Sequence, residues 1–190
     1  MWRNNWRGVF FMKKLNTKTL VFLSMLTALS IVFARLLSIT VDPATLRISL
    51  TNVPVILASL WFGPIAGISV GFISDFIGAT YLSPFGWNPL LAPTSIIVGL
   101  VPALIKRFFL KKKSLVNMLL ITFVTNSFGT IAYSSFALSK MSGATFVSVL
   151  IIRAPVYVLI AALEAVLIYY LSKTGLESRL LKDMSEWDKK

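Results

Sequence analysis

The chain has 190 residues, of which 56% are hydrophobic and 14% are charged, with a net charge of +12 and a mean hydropathy of +0.80. A soluble domain of this size carries roughly a quarter of its residues as charges, so this composition excludes a soluble globular protein. The chain contains no histidine, no cysteine and no G-x-x-x-x-G-K-S/T loop, which excludes thiolate metal sites, disulfides, histidine-based catalysis and P-loop binding of ATP.

The basic residues lie in three clusters that flank the apolar runs. Fifteen of the 19 lysines and arginines fall within residues 3–18, 106–113 and 173–190. This arrangement is the positive-inside signal of a membrane protein, and it indicates a lipid bilayer rather than nucleic acid as the partner. The three clusters predict three cytoplasmic segments, an even number of crossings and cytoplasmic termini at both ends.

The apolar runs predict an all-α integral membrane protein with six transmembrane helices in a single bundle. The predicted helices cover residues 20–39, 53–62, 64–81, 90–105, 115–138 and 144–171. This membrane domain, residues 18–172, lies between a basic cytoplasmic N-terminal segment, residues 1–17, and a charged cytoplasmic tail, residues 173–190. One crossing takes about 20 apolar residues, so six crossings leave no room for a separate soluble domain.

Glycine and proline mark the predicted breaks between the helices. The predicted loops and turns are residues 40–52, 82–89 and 139–143. Pro155 is expected to interrupt the sixth helix, and Pro64 suits the first turn of the third. The second helix is unusually short, and short, proline-flanked membrane segments are tolerated where they line a protein cavity. This region of the chain therefore points to a site.

Four charged residues lie near or within the apolar runs: Arg35, Asp75, Arg153 and Glu164. A charge at the middle of a bilayer costs at least about 2.5–3.5 kcal/mol, so each needs an interior partner or an aqueous cavity. The topology places the first three in the outer half, where Arg47 of the first outer loop could join them in a substrate pocket. Snorkelling and structural ion pairs are the alternatives. Glu164 lies closer to the cytoplasm and is interpreted as structural or partner-facing.

The fifth helix contributes a stripe of hydrogen-bonding side chains. Asn126, Thr130 and Tyr133 are spaced by four and three residues, so they share one face of an α-helix. Opposite a pocket, this stripe would bind the polar edges of an uncharged ring. Ordinary hydrogen bonds between helices explain the pattern equally well.

The second outer loop supplies the aromatic candidates. Phe85 and Trp87 could stack on a ligand ring from above, with Asn88 beside them. The two aromatic side chains could also belong to the aromatic belt at the membrane interface.

Small residues recur at four-residue intervals on two of the predicted helices. On the third helix they are the glycines at positions 63, 67 and 71. This spacing allows a neighbouring backbone to approach closely and brings Asp75 onto or beside the packed face. On the first helix, Ser24 and Ala28 form a similar pair, which serves either internal packing or docking to another membrane protein.

Five short motifs follow one another in the first half of the chain. They are A-R-L-L-S-I at 34–39, L-R-I-S at 46–49, V-P-V at 53–55, W-F-G-P-I-A-G at 61–67 and D-F-I-G-A at 75–79. With the size and the six predicted spans, this series resembles the S components of energy-coupling factor (ECF) transporters, most closely their folate-specific branch. The resemblance covers roughly residues 18–108.

This resemblance implies a vitamin-binding subunit of an ECF-type ABC importer in the bacterial cytoplasmic membrane. Such a subunit is not an enzyme and needs no cofactor or metal; it works with a transmembrane coupling protein and two cytosolic ATPases. The resemblance also favours the docking role of Ser24 and Ala28. Folate is compatible with the charged residues, because Asp75 could bind the amino-pyrimidinone edge of a pterin, and arginines bind carboxylates such as those of a glutamate tail.

Other functions stay open at the level of the residues. A thiamine precursor or pantothenate would use subsets of the same groups, and residues 50–52 and 87–91 depart from the folate-branch pattern. A small membrane enzyme is disfavoured because no nucleophile–base pair occurs at a suitable spacing. In a purely structural assembly protein, the four membrane charges would pair only with one another and would bind no ligand.

Overall fold

The structure, a computed structural model, describes residues 17–42, 46–82, 86–108 and 114–175, with the backbone alone at residues 40–42, 46, 47 and 108. The described residues form six helices, α1 Thr17–Arg35, α2 Asn52–Phe62, α3 Pro64–Leu82, α4 Ala92–Phe108, α5 Leu115–Ser142 and α6 Phe146–Lys173. Of these, α1, α3, α5 and α6 are long and apolar enough to cross a membrane. The predicted six-helix membrane fold is confirmed, while the orientation of the termini stays a prediction.

A β-hairpin replaces the predicted loop after α1. Strands β1, Ile39–Asp42, and β2, Leu46–Ile48, pair antiparallel, with Ile39 opposite Ile48. The helix ends at Arg35 rather than at residue 39, and the β-branched residues Ile39, Thr40 and Val41 favour the extended backbone of β1. Ile48 packs against Tyr157 and Ile160 of α6. We call this end of the bundle the hairpin end.

Helix α2 is confirmed as a short segment, and it forms the centre of the bundle. Its 11 residues span about 16.5 Å, roughly half the thickness of the hydrocarbon core, and Val53–Phe62 are all buried. Gly63, with φ at 101°, separates it from α3. The first residue of α2, Asn52, contacts Asn126 in the middle part of α5.

Helices α3 and α4 cross in direct backbone contact. A Cβ on Gly67 would overlap the carbonyl oxygen of Gly99, and a Cβ on Gly71 would lie 2.8 Å from the carbonyl oxygen of Ser95. The predicted packing role of the glycine stripe is confirmed at these two positions. Just beyond the crossing, the backbone N–H of Ala103 donates to the hydroxyl of Ser59 in α2.

Helix α5 changes its geometry in the middle. Residues Asn126–Tyr133 are π-helical and separate the α-helical parts Leu115–Thr125 and Ser134–Ser142. The predicted tight turn at 139–143 was wrong, since the helix continues to Ser142 and ends at Gly143 with φ at 71°. The predicted interruption at Pro155 was also wrong, because α6 is continuous there. Neighbouring groups in a bundle tolerate the missing amide of a proline.

Candidate functional site

Arg153 is a buried cation with spare hydrogen-bond donors. Its side chain is only 3% exposed, its Nη2 donates to the backbone carbonyl of Thr130 at 3.4 Å, and its guanidinium lies 4.9 Å from the ring centre of Tyr157. Its Nε and Nη1 have no hydrogen-bond partner among the described residues. A buried donor without an acceptor is costly, so these groups are suited to an acidic ligand.

A buried polar cluster lies deeper between α2, α5 and α6. The side-chain amide of Asn126 donates to Glu164 Oε2 at 2.7 Å and to the carbonyl of Thr122 at 3.0 Å. The amide nitrogen of Asn52 donates to Asn126 Oδ1 at 2.9 Å and approaches Thr130 Oγ1 at 3.4 Å. These bonds join the start of α2 to both long helices.

A second charged group joins α1, α3 and α4 near the hairpin end. The carboxylate of Asp75 interacts electrostatically with Arg35 and with the side chain of Ser95. The side chain of Arg35 lies over Gly78, where no Cβ obstructs it. The indole of Trp87 faces the same carboxylate, but its Nε1 does not reach hydrogen-bonding geometry.

Aromatic packing holds the loop after α3 against the bundle. The ring of Trp87 contacts Phe76 and Phe72 edge-on, at centroid distances of 5.2 and 6.4 Å. The hydroxyl of Tyr133 donates to the carbonyl of Leu90 at 3.3 Å. Asn88 accepts a hydrogen bond from the backbone N–H of Leu90 at 2.9 Å, so it supports the turn that precedes α4.

The predicted stripe on α5 is divided by the π-helical segment. Asn126 and Thr130 face the buried cluster, whereas Tyr133 reaches the loop after α3. Hydrogen bonds of the i→i+5 type put more residues in each turn than an α-helix has. A prediction based on α-helical spacing therefore puts Tyr133 on the wrong face. The structure therefore brings only two of the three predicted side chains together.

Two predicted residues receive no side-chain description. Arg47 lies in β2, where its backbone is opposite that of Thr40, and Phe85 lies outside the described residues. Both stay predictions.

Two residues of the buried cluster did not enter the predicted site. The sequence predicts Asn52 at the end of a loop. Its position directly before an unusually short predicted apolar helix is the feature that could have identified it as a site residue. Glu164 is 0% exposed, so the partner-facing interpretation of this residue was wrong. Among the described residues, Arg35 pairs electrostatically with Asp75, but neither Arg153 nor Glu164 has a charged partner.

The predicted docking pair lies on the surface of the bundle. Ser24 and Ala28 are exposed on α1, and the hydroxyl of Ser24 bonds to its own helix at the carbonyl of Leu20. A surface groove follows this face and is lined by Thr17, Leu20, Val21, Ser24, Met25 and Ala28. The two small side chains allow another helix to approach α1 closely.

Comparison with known proteins places this arrangement in a family. The family described as ECF transporter, substrate-specific component, matches residues 18–172. A relative from Leuconostoc mesenteroides subsp. mesenteroides, named folate transporter FolT, is 35% identical over 91 residues, which is 48% of this chain and 48% of that protein. The aligned part thus spans about half the length of that relative.

Solved structures share the fold. The crystal structure of FolT bound with folic acid matches with a TM-score of 0.70 at 23% identity, over 82% of this chain and 94% of that one. The S component for biotin from an ECF-type ABC transporter matches with a TM-score of 0.66 at 18% identity, over 86% and 95% of the two chains. Because the family match covers most of the chain and the fold agrees with a solved S component, this multi-pass membrane protein belongs to the substrate-specific components of ECF transporters.

Proposed function

We propose that the chain captures folate for an ECF-type importer. The 35% identity to a protein named folate transporter FolT supports this choice of ligand, as does the shared fold with FolT bound with folic acid. Folate joins an aromatic pterin to a glutamate with two carboxylates. The proposed site therefore needs a cation for the tail and polar groups for the ring.

The spare donors of Arg153 are the observation that carries this proposal. Guanidinium groups bind carboxylates through two parallel hydrogen bonds, and Nε and Nη1 of Arg153 have no partner among the described residues. Tyr157 holds the guanidinium from one side, which fixes its direction. An acidic ligand would supply the acceptors that the fold does not.

The hairpin end provides the proposed walls of the site. The Arg35–Asp75 pair and the indole of Trp87 form one side, and α6 with Arg153 forms the other. Arg47 and Asn88 are proposed to contact the ligand from the hairpin and from the loop after α3, and Phe85 to stack on it. In the predicted orientation, this end of the bundle faces the exterior.

Delivery of the ligand is proposed to depend on partner subunits. The chain has no phosphate-binding loop for ATP, so a transmembrane coupling protein and two cytosolic ATPases would supply the energy. The groove at Ser24 and Ala28 is the proposed contact for the coupling protein, because it admits a close helix–helix approach.

Equilibrium binding to the purified protein in detergent tests the proposed ligand. Folate, thiamine, pantothenate and biotin would be titrated side by side by isothermal titration calorimetry. We expect saturable binding of folate at least tenfold tighter than that of the other three. Preferential binding of another vitamin would keep the S-component role and replace the ligand. No binding of any of the four by a folded protein would contradict the capture of these vitamins.

A further inference from the structure

Glu164 carries an acceptor that the fold leaves unused. The side chain is 0% exposed, and Asn126 donates to its Oε2 at 2.7 Å. Its Oε1 has no hydrogen-bond partner within the described part of the chain. An oxygen buried in this way loses its bonds to water and regains none, so the hydrogen bond from Asn126 uses only one of the two carboxyl oxygens.

Several hydrogen-bond acceptors near Glu164 surround the side-chain NH₂ group of Asn52. Asn126 Oδ1 and Thr130 Oγ1 both lie within hydrogen-bond reach of the amide nitrogen of Asn52, at 2.9 and 3.4 Å. The side chain of Asn52 also interacts with Glu164 itself. The cluster therefore already binds an NH₂ group, which comes from the chain.

The position of Glu164 on α6 relates it to the proposed anchor for the acid. Arg153 and Glu164 are both buried on the inward side of this helix, and their separation of 11 positions corresponds to about 16.5 Å along the axis. Tyr157 and Ala161 lie between them on the same side. An elongated ligand could extend along this strip, with its acid at one end and its ring at the other.

We propose that Glu164 determines ligand specificity by accepting hydrogen bonds from adjacent N–H groups on the ligand ring. The ligand class is an elongated acid that ends in a heteroaromatic ring with an N–H and an amino group side by side, such as the amino-pyrimidinone edge of a pterin. The ligand's amino group takes the place of the Asn52 amide, and Asn126 holds the carboxyl group in position. This inference rests on the proposed capture of folate.

A comparison of folate with a modified folate tests the contact directly. In the analogue, a methyl group replaces the 2-amino group, so one donor is lost while the size is kept. We expect wild-type protein to bind folate about 10- to 100-fold more tightly than the analogue, the range for leaving a buried acceptor without its donor. In Glu164→Gln a donor NH₂ group replaces one acceptor oxygen and faces the N–H donors of the ligand. The ratio of the affinities for folate and for the analogue should therefore fall to about 3 or less.

A matched variant controls for effects of altering α6. Ser172→Ala removes another buried polar group from the same helix, eight residues further along, and should leave the ratio unchanged. If Glu164→Gln does not fold, Asn126→Ser takes its place, since it removes the donor that orients the carboxyl group and should lower the ratio as well.

Three results would overturn the inference. Equal binding of folate and the analogue by wild-type protein would do so without any variant, while tight folate binding would preserve the proposed function. An unchanged ratio in a folded Glu164→Gln or Asn126→Ser protein would make the cluster purely structural. A wild-type protein that does not bind folate at all would remove the proposed ligand and this contact together.

Discussion

Gly67 of α3 and Gly99 of α4 bring two backbones into direct contact. A Cβ on Gly99 would lie 2.5 Å from the backbone of Gly67, a distance that forces the helices apart. We expect Gly99→Ala to destabilise the protein by about 1–3 kcal/mol, the usual cost of overpacking, seen as a lower melting temperature in detergent. Gly78→Ala is the matched control and should lower the melting temperature less, since the three nearest atoms to its Cβ belong to the side chain of Arg35 rather than to backbone, the closest at 3.2 Å. Equal melting temperatures for the two variants would contradict this account of the crossing.

Replacement of Arg153 should weaken capture of an acidic vitamin. We expect Arg153→Ala to lower folate affinity at least tenfold, about 1.4 kcal/mol, because it removes the two unpartnered buried donors that are proposed to bind the ligand's carboxylate. Arg153→Lys keeps the charge but not the planar pair of donors, so it should recover only part of the affinity.

Lys140 provides a control for simple loss of charge. This lysine is also in the hairpin half of the bundle, but it is exposed and lies 5.9 Å from the ring of Phe136. Lys140→Ala should bind folate as wild-type protein does. A folded Arg153→Ala protein with unchanged affinity would remove Arg153 from the site.

The sequence was sufficient to predict the features that depend on composition and regular spacing. Apolar runs located the six helices, and the four-residue interval of Gly67 and Gly71 located the close helix crossing. Both signals follow from the lipid environment, which requires apolar spans and closely packed helices. The need to neutralise charge in lipid likewise identified Asp75 and Arg153 as candidates.

Features that depend on the local path of the backbone could not be predicted in this way. The π-helical segment turns Tyr133 away from Asn126. No residue type in the sequence indicates this change from α-helical to π-helical hydrogen bonding. The contact between Asn52 and Asn126 joins positions that are 74 residues apart. Glu164 was visible as a charge in an apolar run, but its unused oxygen depends on which helices surround it.

Asp75 is expected to support the site from the opposite wall. It interacts with Arg35, Ser95 and the indole of Trp87, so its charge organises three elements at the hairpin end. We expect Asp75→Asn to weaken folate binding at least tenfold, while the protein still folds. Ser95→Ala removes only one of these contacts and should have a smaller effect. The two variants can be ranked by titration calorimetry, and an unaltered affinity in folded Asp75→Asn would assign the residue a purely structural role.

A larger side chain on the exposed face of α1 should separate ligand capture from transport. Ala28→Leu fills the groove beside Ser24, so we expect loss of co-purification with the coupling protein and loss of folate uptake, with folate affinity within about twofold of wild type. Ala162→Leu is the matched control, because it introduces the same side chain on the exposed face of α6. Normal assembly of Ala28→Leu would exclude this groove as the docking site. Equal loss in both variants would point to a general effect of added bulk on the membrane-exposed surface.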